Sequence, residues 1–362
     1  MHDIGPHTIA VLTDESIALL QQLVEIPSYS REESETAAWI ADFLDQKGIR
    51  YHQKGNNIWA YNEHFDPAKP SILLNSHHDT VKPGKAWTKD PFYPEISDGK
   101  LYGLGSNDAG GCLVSLLATF RAYYHQKSLN YNLIYAATAE EEISGTNGIE
   151  SILPELGIIE FGIVGEPTQM EMAVAEKGLL VLDCVAHGKT GHAARDEGEN
   201  AIYKAIKDIE WFQGYQFDKI SPFLGAIKMA VTVIKAGEQH NVVPDICNFT
   251  VDIRLTEEYT HKEILETISA HVQSDIIPRS TRIKPSTIAL DHPIVKAGLA
   301  LGRQTFGSPT TSDQAFMDFP TLKIGPGDSA RSHTPDEFIF IQEIRQGIEW
   351  YIAMLNPIMK NA

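Results

Sequence analysis

Basic residues are the scarce class in this chain: 30 Lys and Arg stand against 48 Asp and Glu in 362 residues, a formal net charge of −18. Nucleic-acid binding needs clustered Lys and Arg to replace counterions on phosphates, so this balance excludes it. It also means that an anionic substrate must be met by local positive groups. Long apolar runs are missing too; none approaches the roughly 18 residues that span a bilayer. The N-terminal stretch MHDIGPHTIAVLTDES has neither a basic start nor an apolar core, which argues against export and for the cytoplasm. Cysteine is limited to Cys112, Cys184 and Cys247. Odd in number, widely spaced and set in or beside apolar segments, they read as buried free thiols, not as zinc ligands or disulfides. There is no internal repeat and no low-complexity linker. At this length one hydrophobic core is not enough, and two domains are expected.

What the chain does contain is a scattered set of polar residues: His77, Asp108, Glu141, Glu142, Glu166 and His333. At least four of them sit where an apolar run gives out into a turn. The runs are SILLNSHHD (71–79), YNLIYAATAEEE (131–142), FGIVGEP (161–167) and TLKIGPGDSARSHTP (321–335). Near-continuous apolar strands belong to a parallel or mixed sheet covered on both faces, and ligands collect outside the carboxyl ends of such strands. Imidazoles and carboxylates converging there suit two divalent ions such as zinc, with one carboxylate left over as a base. His77-x-Asp79 sets an imidazole one residue from a carboxylate that can orient it. GSNDAGG (105–111) places Asp108 among small residues, where both oxygens can reach cations. Glu141 and Glu142 follow a strand, so their side chains diverge. Without metal, three carboxylates would face one another, each pair about 4 Å apart costing roughly 4 kcal/mol at an effective dielectric of 20. A purely structural cluster does not explain that cost, whereas bound cations do, and the chain reads as a metal-dependent amide hydrolase.

These motifs resemble the di-zinc peptidase and deacylase family of acetylornithine deacetylase, succinyl-diaminopimelate desuccinylase, carboxypeptidase G and aminoacylase. The matching pieces are HHDTVKPG (77–84), GLGSNDAGG (103–111), TAEEE (138–142), VGEPT (164–168) and SHTPDE (332–337), in the family's order and across most of the chain. The resemblance implies that His77 and Glu166 hold one zinc, that Glu142 and His333 hold the other, and that Asp108 bridges. Glu141 is then the general base and Asp79 the carboxylate behind the ligands. His78 in the variable position of HxD and Ala109 after the bridging Asp are small departures that touch no ligand. Weaker matches are His192 in TGHAA, which in the family reaches across a dimer, and Asn241 and Arg254, which would hold a substrate carboxylate. Asp313 in TTSDQAF matches a family segment without a role.

The order of elements predicts an α/β catalytic domain, with a mostly parallel or mixed sheet flanked by helices, in two parts, 1–175 and 285–362. The first helix is expected over ESIALLQQLVEI with Asp14 as its cap. A second is expected from Ser30, with Glu33 completing a capping box and Trp39, Ile40, Phe43 and Leu44 on one face. Residues 176–284 read differently: strand 178–187, helix 200–212, strands 226–236 and 246–254, helix 261–273, strand 279–284. That β-α-β-β-α-β order is a ferredoxin-like unit, and it carries none of the metal candidates. An inserted domain follows, which the resemblance makes a lid and homodimerisation surface. A C-terminal helix is expected near 340–355.

Two zinc ions, with cobalt as a substitute, would lower the pKa of bound water towards neutrality. Glu141 would take the proton and pass it to the leaving amine, and His192 would help at the oxyanion. The substrate is then a small N-acyl amino acid, foremost N-acetylornithine or N-acetylcitrulline or N-succinylornithine, in arginine biosynthesis. Succinyl-diaminopimelate desuccinylation and dipeptide or carboxypeptide hydrolysis are the alternatives. A non-catalytic zinc-binding dimer is disfavoured by the intact Glu141, and an oxidoreductase by the lack of GxGxxG spacing in GLGSNDAGG.

Overall fold

The computed structural model describes residues 5–360; residues 1–4, part of the stretch tested above for an export leader, and the last two lie outside the described residues. The chain forms two compact units. The larger takes the chain up to Val174, then Thr287–Phe306 and everything from Ser312; the smaller takes Ala175–Ser286 and Gly307–Thr311.

In chain order the larger unit begins with α1 (Pro6–Val24), α2 (Ser34–Gln46), β1 (Tyr51–Lys54), β2 (Asn57–Tyr61) and β3 (Ser71–His77). Then come β4 (Ile96–Ser97), β5 (Lys100–Tyr102), α3 (Gly111–Tyr124), β6 (Asn132–Thr138), α4 (Ile149–Ile152), β7 (Ile159–Val164) and β8 (Met172–Glu176). The smaller unit holds β9 (Gly178–His187), β10 (Gly191–His192), α5 (Ala201–Gly214), β11 (Lys228–Ala236), β12 (Val242–Val243), β13 (Ile246–Leu255), α6 (His261–Ser269) and β14 (Asp275–Pro278). The remainder is β15 (Ser286–Thr287), α7 (Pro293–Ala300), β16 (Thr305–Ser308), β17 (Thr321–Lys323), β18 (Phe338–Phe340) and α8 (Ile341–Met359).

The main sheet runs β1-β2-β6-β3-β7-β17-β8. Its middle is parallel, β6 with β3, β3 with β7 and β7 with β17, while β1, β2 and β8 pair antiparallel. Every residue of β3 and β6 is buried, as their unbroken apolar sequences require of strands covered on both faces. On one face lies α3, packed against β3, β6, α1 and α8. Its sequence GCLVSLLATFRAYY is apolar around most of the helix, so it suits a position with neighbours on all sides. On the other face Trp59, Leu73 and Ile134 pack with Ile149 and Ile152 of α4 and with Met317. Gly165 lets β7 leave the sheet against α3, since a Cβ there would stand 2.7 Å from Leu116 Cδ1 and 3.0 Å from Cys112 Cβ. The parallel strands therefore end side by side, at His77, Thr138 and Val164.

The smaller unit is a four-stranded antiparallel sheet in the order β11-β13-β9-β14, the topology of a split β-α-β-β-α-β unit. Alternate residues of β9 and β13, among them Leu180, Leu182, Phe249, Val251 and Ile253, are buried against Phe212 of α5 and Ile264 and Ile268 of α6. Cys112, Cys184 and Cys247 are all free and buried. Among the described residues no helix is long and apolar enough to cross a membrane.

Several boundaries differ from the sequence expectation, each for a physical reason. Helix α1 begins at Pro6, which fits the first turn where no N–H is needed, and leaves Asp14 exposed in mid-helix rather than at a cap. Helix α2 begins at Ser34, because Ser30 donates to Asp79 Oδ2 at 2.7 Å and the Glu33 carboxylate is taken by the Arg31 N–H and Asn56. Its buried face is Ala37, Ile40, Ala41 and Leu44, with Trp39 exposed. Helix α6 stops at Ser269, and the Asp208 carboxylate receives the N–H groups of Gln273 and Ser274 beyond it. The last strand of the smaller unit is 275–278, not 279–284; its Pro278 is tolerated because β14 is an edge strand. The C-terminal helix runs on to Met359, through Pro357.

Candidate metal centre

His77 ends β3, Glu166 follows β7 after Gly165 and Glu141 and Glu142 lie on a single turn just after β6. Asp108 sits in the bend 106–110 that enters α3, and Gly105 before it adopts φ +74°, where a Cβ would also strike Thr80 Cγ2 at 2.5 Å. His333, itself at φ +58°, lies on the loop between β17 and β18. The structure brings all six side chains together. His77 Nε2 stands 3.4 Å from Asp108 Oδ1 and 3.8 Å from both Glu141 Oε2 and Glu166 Oε1. His333 Nε2 stands 3.7 Å from Asp108 Oδ2 and 2.9 Å from Glu142 Oε2. The two oxygens of Asp108 thus face different imidazoles, and the neighbours Glu141 and Glu142 diverge, one towards each.

The donor set fits divalent cations. His77 Nδ1 donates to the Asp79 carbonyl at 2.9 Å, which leaves the Nε2 lone pair pointing into the carboxylates. Nε2 is buried and has no hydrogen-bond partner, an arrangement that a cation at that point resolves. Donor atoms of His77, Asp108 and Glu142, and those of His77, Glu141 and Glu166, lie within 4.8 Å of one another. By distance alone Glu141 belongs to the second group.

Electrostatics report the same excess of negative charge. Burial opposes charge on His77, but Glu141, Asp108, Asp79 and Glu166 outweigh it and hold the imidazole well above the usual histidine range. Burial lifts Glu141 well above the carboxylate range, and Glu166, Asp313 and Glu142 add to this against the pull of His77. His333, hydrogen-bonded to Glu142, is pushed up to about 9. Burial raises Asp313 to about 6 and Glu337 to about 8, the latter with help from Asp108.

Asp79 does more than its place in His77-x-Asp79 suggests. Its carboxylate is fully buried and accepts the N–H groups of Glu141 at 3.0 Å and Glu142 at 3.2 Å, besides the Ser30 hydroxyl. It holds the turn of the two glutamates, while its backbone carbonyl orients His77. Asp313, buried, accepts from Thr138 Oγ1 at 2.7 Å. Glu33 and Glu337 were missed from sequence: one looks like a helix cap, the other like the end of SHTPDE. Both are buried acids. The one signal, an acid at the end of a ligand motif, was available for Glu337 and not for Glu33.

The remaining candidates belong to the smaller unit. His192 and Asn241 are neighbours there, both exposed, with the Ala193 N–H donating to the Asn241 carbonyl at 3.0 Å and β10 paired with β12. Arg254 is not with them. It lies eight residues along β13 from Ile246, and its guanidinium is bound to Asp252 at 2.8 and 3.1 Å.

A carboxylate–imidazole cluster at the strand ends of a mixed α/β sheet is the site of a metal-dependent hydrolase. Residues 73–356 match Peptidase family M20/M25/M40, and the chain belongs to that family. Its fold is similar to that of the aminopeptidase PepT from Bacillus cereus ATCC 10987, with a TM-score of 0.76 and 20% identity over 96% of this chain and 98% of that one. It is also similar to the M20 family metallo-carboxypeptidase Sso-CP2 from Sulfolobus solfataricus, with a TM-score of 0.75 and 18% identity over 94% and 98%. The YXEP protein of Bacillus subtilis, described as a dinuclear metal binding peptidase from the M20 family, gives a TM-score of 0.73 and 14% identity over 98% and 100%.

Asp108→Asn tests the charge argument through stability. Removing one of the crowded charges should leave the chelator-treated protein as stable as wild type or more so. It should also abolish most of the rise in Tm on adding zinc, which for a ligand at a thousand times its Kd corresponds to about 4 kcal/mol in wild type. Thermal unfolding with and without zinc measures both; a variant that keeps the full zinc-dependent rise contradicts the placement of cations beside Asp108.

Proposed function

We propose that this hydrolase removes the acyl group from a small N-acyl amino acid, foremost N-acetylornithine or a relative such as N-acetylcitrulline or N-succinylornithine, in the cytoplasm. The observation that carries the reading is the pair of Asp108 oxygens facing two imidazoles, with Glu141 and Glu142 diverging from one turn beside them. His77 and Glu166 would hold one ion and His333 and Glu142 the other, with Asp108 facing both imidazoles. Two divalent ions bound there, zinc or cobalt, would supply an activated water near neutral pH and positive charge for the developing oxyanion. Glu141 is assigned as the base because Glu142, not Glu141, is hydrogen-bonded to His333, and because the resemblance gives the ligand's place beside His77 to Glu166, which stands no nearer to it than Glu141 does. It takes a proton from the attacking water and delivers it to the amine nitrogen as the C–N bond breaks. The run of motifs from HHDTVKPG to SHTPDE favours a deacylase. The solved structures of similar fold are peptidases, which keeps dipeptide or carboxypeptide hydrolysis as a second reading.

The smaller unit we assign as a lid and homodimerisation surface. Strand β11 lies at the end of its sheet with one edge unpaired, and Val233 and Ile234 on it are 43% and 53% exposed. Tyr203 and Ile206 on α5 are exposed as well. Such apolar surface on a sheet edge is suited to a second copy. His192 then completes the partner's site, with Asn241 and Arg254 holding the substrate carboxylate; Arg254 must exchange Asp252 for it.

Release of amine from N-acyl amino acids and dipeptides, followed with ninhydrin in the presence of zinc, separates the two substrate readings. On the best substrate, Glu141→Ala should keep its metal and lose at least about a hundredfold in kcat, whereas Glu142→Ala should lose metal. Equal metal content in the two variants would reverse or abolish their division of labour. Mixing inactive His192→Ala with inactive Glu141→Ala tests the dimer. In each mixed dimer one site has its own Glu141 and borrows an intact His192, so about a quarter of wild-type activity should return when half the dimers are mixed. Verified subunit exchange without recovery would place His192 within its own chain or outside the reaction.

A further inference from the structure

The buried acid Glu337 is not among the six converging residues, yet its carboxylate is spent entirely on the loop that carries one of them. Oε1 accepts the N–H groups of Asn107 and Asp108, each at 2.9 Å, and Oε2 accepts that of Gly105 at 3.2 Å. Its main-chain carbonyl accepts the Gly103 N–H at 3.0 Å. Residues 103–108 are therefore laid along Glu337. The same residue lies four positions after His333, and its neighbour Asp336 fixes that loop elsewhere by accepting the N–H groups of Thr88 and Lys89. A second clamp joins the same two loops, because Asn107 Oδ1 accepts the Asp328 N–H at 2.9 Å and Asn107 Nδ2 donates to the Asp328 carbonyl at 3.1 Å.

A carboxylate placed only to satisfy loop donors could come from any neighbouring segment. This one comes from the segment that also bears His333, so it ties the positions of two metal-facing side chains to each other. We propose that Glu337 is a positioning residue of the metal centre, holding the Gly105–Asp108 bend against the His333 loop so that the two Asp108 oxygens are aimed before any ion arrives. This rests on the two-ion reading of the site. It also explains why an acid is used: three N–H donors converge on two oxygens, and an amide offers only one oxygen and would set its own N–H₂ against a donor.

The test compares wild type with Glu337→Gln. Chelator-treated protein is titrated with cobalt(II) and its visible absorption followed, which reports affinity and ligand geometry without turnover. Wild type should take two ions. Glu337→Gln should bind at least one of them roughly 10- to 100-fold more weakly, with altered cobalt bands, as for other residues that orient metal ligands. A folded variant with wild-type affinity and spectrum overturns the inference while leaving the two-ion centre standing. Wild type that binds no cobalt removes the centre and the inference together. Should Glu337→Gln fail to fold, amide hydrogen exchange in wild type decides. The N–H groups of Gly105, Asn107 and Asp108 should be protected in chelated and cobalt-loaded protein alike; rapid exchange that slows only on adding cobalt would mean that the ion, not Glu337, orders the bend.

Discussion

Repulsion among buried carboxylates is the constraint on which the larger unit depends. Asp108, Glu141, Glu142 and Glu166 converge at the ends of three parallel strands, and Asp79, Asp313 and Glu337 lie buried around them. Each close like-charge pair costs roughly 4 kcal/mol at an effective dielectric of 20, whereas a whole domain is stable by only about 5–15 kcal/mol. Positive charge at the centre is therefore a condition of the fold as well as of the chemistry. Protons on His77 and His333 can supply it, and divalent ions can supply more of it. This is why both imidazoles are pulled above their ordinary range.

The acids behind the centre are met by main-chain N–H groups. Asp79 receives the N–H groups of Glu141 and Glu142, Glu33 that of Glu140, and Glu337 those of the Asp108 bend. Backbone dipoles offset these charges without adding cations that would compete with a metal. The same bonds fasten the turn after β6 and the bend before α3, which carry Glu141, Glu142 and Asp108. In this way the acid-rich composition becomes a rigid negative site.

Much of this was legible in the sequence, and the reasons are local. Runs such as SILLNSH and NLIYAAT have no polar alternation, which left only a sheet covered on both faces, and the polar residues after them had to share one end of it. GLLVLDCVAH reads as a strand, but its burial on alternate residues only, the mark of a sheet covered on one face, is a property of the structure, because Asp183 alone breaks its apolar run. Membership of the M20/M25/M40 family follows the resemblance carried by those motifs. What could not be read were residues whose local and tertiary options compete. Ser30 and Glu33 have the spacing of a capping box, but both side chains are drawn to groups distant in sequence, Asp79 and Asn56. The last strand of the smaller unit lies at 275–278 and not at the expected 279–284, and the edge position that lets it include Pro278 is a property of the whole sheet. Glu337 carries no sign in its own sequence that three N–H groups await it 229 to 232 residues away.

Element-specific anomalous diffraction from crystals grown with zinc tests the central claim most directly. Two zinc peaks are expected about 3.5–4 Å apart, one beside His77 and Glu166, the other beside His333 and Glu142, with Asp108 between them. A single fully occupied peak, or zinc bound away from Asp108, would contradict it.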